Sequence, residues 1–119
     1  MNYVDGFVLP VQKKKVVAYR SMAKLSSKVW LDHGALAFYE SVADDVPYGK
    51  RTSFPRSVKL KRGETVVFSW IIYKSRAHRD KVMAKVMKDP RIAKMMSKKD
   101  MPFDAKRMIY GGFDVVVDV

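Results

Sequence analysis

Residues 65–73, Thr-Val-Val-Phe-Ser-Trp-Ile-Ile-Tyr, are the run that most restricts how this chain can fold. Side chains alternate across a strand, so Val66, Phe68, Trp70 and Ile72 take one face and Val67, Ile71 and Tyr73 the other. Both faces are apolar, so both need a cover. The rest of the sequence has to supply two covers.

Residues 3–11 are rich in strand formers and read as a first strand. From Lys13 to His33, Val16, Tyr19/Arg20, Ala23, Ser26/Ser27 and Trp30 recur at helical steps, and Gly34 stands where a helix stops. Ala35–Ala43 is a second strand, with Leu36, Phe38, Glu40 and Val42 on one face. Turn chemistry at 44–50 opens an irregular stretch to Gly63, within which Ser53–Leu60 is expected as a short edge strand, confined there by Pro55. Ser75 caps a helix to about Lys88, and Asp89-Pro90 restarts a helix over 90–97. A last strand is expected over Arg107–Val119, interrupted by Gly111-Gly112, where a bulge or a close backbone approach is expected.

Right-handed crossovers put both helical connections on the same side of one antiparallel sheet, which gives a single α+β domain over residues 1–119. The other face of strand 65–73 then stays bare, an apolar patch larger than soluble monomers expose. A second copy packed sheet on sheet is the simplest cover, so a homodimer is expected.

The chain has 24 Lys and Arg against 12 Asp and Glu, a net charge of +12, and no cysteine. Disulfide frameworks, thiolate metal sites and cysteine nucleophiles are excluded. The first 30 residues show no signal-peptide core and no apolar run is long enough to span a membrane, so a cytoplasmic protein is expected. Phosphate-binding and metalloprotease motifs are absent, and nothing in the sequence supports a two-histidine site from the widely separated His33 and His78, which read as structural or surface residues, so no metal or cofactor is expected. Between Lys74 and Lys99 cations outnumber acids by ten to two. Arg76, Arg79, Lys81, Lys85, Lys88, Lys98 and Lys99 form either a solvated helix face or, as the alternative function, a phosphate-contacting ridge on an RNA-binding or ribosome-associated module. The third strand lacks the Gly and leading cation of an RNA-recognition motif, which places nucleic acid second.

Several strings have a familiar form: Tyr3-Val4-Asp5-Gly6-Phe7-Val8, His33-Gly34-Ala35, Phe68-Ser69-Trp70, Asp89-Pro90-Arg91 and Met101-Pro102-Phe103-Asp104. The longest is Lys106-Arg107-Met108-Ile109-Tyr110-Gly111-Gly112-Phe113. Across nearly its whole length the chain resembles the YbaA-like bacterial family of unknown function. The resemblance implies a ferredoxin-like subunit of the dimeric α+β barrel type. It brings no reaction. Proteins of that barrel architecture place their pockets between sheet and helices, an analogy of fold and not of function.

Strand periodicity sends two carboxylates inward among apolar neighbours, Asp5 beside Tyr3, Phe7 and Leu9, and Glu40 beside Phe38 and Val42. Such a group either pairs with a cation, for which Arg107 is the expected partner, or has a raised pKa. Asp5, Glu40 and His33 are the candidate acid–base residues, and Tyr3, Trp70, Arg107 and Tyr110 the candidate ligand contacts. The competing reading makes the carboxylates structural ion pairs and His33 a helix-end residue. The functional expectation is a homodimeric α+β barrel that binds a small organic molecule in a pocket between sheet and helices.

Overall fold

The structure, a computed structural model, describes residues 2–119. Strand β1 (Tyr3–Gln12) passes through one 3-10 turn (Lys13–Lys15) into α1 (Val16–Asp32), then β2 (Ala37–Val42) and a short α2 (Phe54–Ser57). β3 (Glu64–Tyr73) leads to α3 (Arg76–Met87) and α4 (Pro90–Met96), and a second 3-10 turn (Ala105–Arg107) precedes β4 (Ile109–Asp114). All strand pairings are antiparallel, in the order β2-β3-β1-β4. With the long helices on one side, this is a ferredoxin-like α+β fold.

The register explains the core. Asp5 pairs with Ile71, Leu9 with Val67, Phe38 with Ile71 and Glu40 with Ser69, so these residues share the helix-facing side. Tyr3, Ile71 and Tyr73 pack there with Val29 of α1, Val82 and Val86 of α3 and Ile92 of α4. Leu9, Val11 and Val67 pack with Tyr19 and Ala23 of α1. The helix limits follow local chemistry. Gly34 takes a positive φ of 110° after α1, Ser75 accepts the His78 N–H at 3.1 Å to cap α3, and Asp89 accepts the Arg91 N–H at 2.9 Å ahead of Pro90.

Two expected elements differ. Ser53–Leu60 is not an edge strand: Ser53 caps the helical turn α2 by accepting the Arg56 N–H at 3.1 Å, and Pro55 sits in its first turn, where a missing N–H costs nothing. β4 ends at Asp114 and not at Val119, because Asp114 lies opposite Tyr3, the first residue of β1, and no strand is left to pair with.

The opposite side of the sheet is covered at one end only. Val58 and Leu60, just after α2, pack on Val8 and Val66, and Phe54 lies against Phe68 with ring centres 5.8 Å apart. Beyond them Phe68, Tyr39, Ile109 and Phe113 are exposed around Trp70, and an open apolar groove of about 590 Å³ runs between Phe68 and Phe113. This is the uncovered face of the doubly apolar strand.

Gly112 answers the question raised by the glycine pair, in favour of a close approach. The Tyr3 ring lies across it, and a Cβ at that position would sit 2.7 Å from Tyr3 Cζ. Gly112→Ala should therefore displace the buried Tyr3 and destabilise the fold by about 1–3 kcal/mol, the usual range for overpacking, as measured by denaturant unfolding.

Candidate functional site

Helix α1 crosses the sheet beside β2, and the two do not close on each other. Ala23, a small residue on the sheet side of α1, leaves space that a larger side chain would fill. The result is a cleft with two parts. An outer cavity of about 430 Å³ is walled by Val16, Phe38, Val42 and Val67. An inner one of about 130 Å³ reaches Leu9, Trp30, Ile71 and Met108. Tyr19, Ala23, Phe38 and Glu40 line both, and so mark the boundary between them.

One hydrogen bond defines that boundary. The Tyr19 hydroxyl of α1 donates to Glu40 Oε2 of β2 at 2.6 Å. Tyr19 is buried, held edge-on by Phe103 with ring centres 5.9 Å apart. Burial and the neighbouring Glu40 carboxylate push the Tyr19 phenol well above its ordinary value. The Glu40 side chain is accessible through the cavity mouth, yet the apolar walls around its carboxyl push its pKa upward. Hydrogen bonds from Tyr19 and Ser69 pull it partway back, and no cation contributes. A carboxyl so placed can accept or release a proton toward a bound molecule.

Asp5 has a different fate. It is buried, and Arg79 Nη1 donates to it at 3.0 Å. The Tyr73 hydroxyl accepts the Trp30 Nε1–H at 3.2 Å, and its proximity, with Arg79, pulls the Asp5 pKa down. Arg79 lies over the Tyr3 ring, its guanidinium carbon 5.2 Å from the ring centre. Burial raises the Asp5 pKa and Arg79 opposes it. Asp5 lines neither part of the cleft.

The expected pairing of Arg107 with an inward carboxylate of β1 or β2 is not found. Arg107 donates to both Glu64 oxygens, at 2.8 and 2.6 Å, and to Asp104 at 2.9 Å, tying the turn before β4 to the start of β3. Its sequence position gives no hint of this, because the last turn of the chain meets β3 only in the folded sheet. His33 closes α1, and its Nε2 lies 2.7 Å from Asp89 Oδ2, so it fastens α1 to the cap of α4. Arg91 first, then His33, hold the Asp89 carboxyl far below the usual range.

Tyr3 belongs to the Asp5–Arg79 network. Trp70 stacks on Tyr39 at 5.1 Å on the uncovered face, and Tyr110 is exposed with its ring stacked on Phe7 at 6.3 Å. Of the seven candidates, Glu40 alone lines the cleft. Tyr19 and Ala23, which complete it, read in the sequence as two more positions of a helical stripe. A phenol on that stripe facing a strand carboxylate was the available signal. Among the cationic residues, Arg76, Lys81, Lys85, Lys88, Lys98 and Lys99 are exposed, whereas Arg79 turns inward to Asp5.

The family model described as "Protein of unknown function (DUF1428)" matches residues 2–105. The chain belongs to that family. It is 48% identical over 118 residues to the uncharacterized protein YbaA of Escherichia coli K12, with 99% of each chain covered, and equally to YbaA of Shigella flexneri. Among solved structures, a dimeric ferredoxin-like protein from an uncultured marine organism superimposes with a TM-score of 0.55, 15% identity and full coverage of both chains. A protein of Arabidopsis thaliana gives 0.56 at 12% identity, covering 98% of each chain. At such identities the two structures show the fold alone. Within the DUF1428 chain, no described helix is long and apolar enough to cross a membrane.

The raised pKa of Glu40 has a measurable sign. The folded state holds the proton more tightly than the unfolded state, so stability falls as pH rises from the ordinary value of 4.5 through the raised one. Glu40→Gln keeps an acceptor for Tyr19 and cannot ionise. Its melting temperature should exceed that of the native protein by a margin that grows from about pH 4 upward and then levels off, as followed by circular dichroism.

Proposed function

We propose that the protein is a cytoplasmic homodimer of the α+β barrel type that binds a small organic molecule in the α1–β2 cleft. The observation that carries the ligand reading is the Tyr19–Glu40 pair: a carboxyl with a raised pKa, uncompensated by any cation, at the junction of two cavities. Glu40 is exposed to the cavity, yet apolar walls and the lack of a neighbouring cation favour its protonated form, which leaves it able to exchange a proton with an occupant. The outer volume lies within the ~300–1,000 Å³ of small-molecule sites, and its walls set apolar side chains beside Arg20, Lys24, Glu40 and the hydroxyls of Tyr19, Ser27 and Ser41. In this reading Glu40 is the candidate proton donor or acceptor, while Asp5 and His33 hold the scaffold.

The dimer reading rests on the uncovered face. Phe68, Trp70, Tyr39, Ile109 and Phe113 form a continuous apolar surface on a sheet whose other side is filled by helices. Two-fold packing of two such faces would bury β3 on both sides and leave each cleft open on the outside. The marine protein of similar fold is a dimer. Sedimentation at micromolar concentration should give a dimer, and Trp70→Glu a folded monomer. A native monomer removes the dimer reading.

The rival reading as an RNA-binding module is favoured by one observation. Arg76, Lys81, Lys85, Lys88, Lys98 and Lys99 are exposed and have no ion-pair partner among the described residues. Such a face would bind RNA with an affinity that drops steeply as salt rises. The cleft is preferred because it offers shape as well as charge. A thermal-shift screen of small metabolites, with hits mapped by amide chemical shifts, tests it. Hits that perturb residues 16–27 and 38–42 support the reading, and hits confined to other surfaces, or none, reject it.

A further inference from the structure

We propose that the occupant of the α1–β2 cleft is an organic anion, a carboxylate or phosphate ester on an apolar body, whose charge is taken by Arg20 and Lys24 at the cleft mouth. This rests on reading the cleft as a ligand site, and it names the class of ligand.

Arg20 and Lys24 are one turn apart on α1, so their side chains emerge as neighbours along the same flank, and both line the outer cavity. Neither has a carboxylate within 4.0 Å or a side-chain hydrogen bond among the described residues. This is not true of the helix ends. There Lys15 is tied to Asp100 at 3.1 Å and Lys28 to Asp32 at 3.6 Å. The middle of the helix therefore presents two unspent positive charges where the cavity opens.

The acid nearest to hand does not use them. Glu40 lines the same cavity but gives its carboxyl to Tyr19, and neither Arg20 nor Lys24 contributes to its ionisation. The outer cavity thus combines two exposed cations on one flank of α1 with apolar side chains of Val16, Phe38 and Val42, the Ser27 and Ser41 hydroxyls, and the Tyr19–Glu40 pair where it meets the inner cavity. A complementary molecule carries negative charge for Arg20 and Lys24 and an apolar body for Val16, Phe38 and Val42. Arginine favours such partners because its planar fork meets carboxylate or phosphate oxygens with two parallel hydrogen bonds. A cationic or uncharged molecule would leave both side chains without a role.

The test is an amide NMR titration of the full chain with benzoate, phenyl phosphate and the uncharged isostere benzyl alcohol. At least one of the two anions should shift residues 16–27 and 38–42 saturably and bind more tightly than benzyl alcohol. Whichever of them binds better identifies the source of the charge. Arg20→Gln with Lys24→Gln should weaken that anion by about tenfold or more and leave benzyl alcohol unchanged. Both residues are exposed, so the double variant should keep the native spectrum elsewhere. Anions that bind no better than benzyl alcohol, or that bind the double variant equally well, overturn the anion assignment while the cleft stands as a ligand site. Failure of all three probes to perturb the cleft overturns both readings together.

Discussion

β3 lies between β1 and β2, so its backbone is paired along both edges and its side chains need burial on both faces. The helix side is closed by α1, α3 and α4, which bring Val29, Val82, Val86 and Ile92 onto Ile71 and Tyr73. The other side receives only the short α2 region, whose Val58 and Phe54 reach as far as Val66 and Phe68. Connections of this hand cannot deliver a further helix to that side. What remains bare is flat, aromatic and continuous, a surface suited to a second sheet.

The two inward carboxylates show how one sequence pattern yields opposite electrostatics. Asp5 has its charge matched by Arg79 and shared with Tyr73, and removing one member of such a buried pair typically costs ~3–5 kcal/mol. Glu40 has hydrogen bonds and no cation. Arg20 and Lys24 line the same cavity, yet neither contributes to the ionisation of Glu40. Stability is given up at one carboxylate and secured at the other.

Much of the fold was legible because it rests on local rules. The periods of β1, α1 and β3, the glycine stop at Gly34, the Ser75 cap and the Asp89-Pro90 restart depend on neighbours within a few residues. Local pattern and structure part where a segment needs a distant partner. Residues 53–60 have strand-like composition but no adjacent edge, so the cap at Ser53 prevailed. The last strand stopped where β1 ran out. Arg79 reads in the sequence as one more solvated cation, since nothing in its own segment shows that α3 carries it over Tyr3 to Asp5.

By itself the sequence determined the layered α+β architecture, the excess of apolar surface on β3 and the presence of Glu40 on an inward face. These follow from periodicity, which is a property of one segment at a time. The tertiary structure decided which charges meet. It gave Asp5 to Arg79, Arg107 to Glu64 and His33 to Asp89, and left Glu40 with Tyr19 beside an open cleft. The reason is geometric: hydrogen bonds and contact ion pairs need separations of about 3–4 Å, and strand register with helix crossing sets those distances across tens of residues of chain.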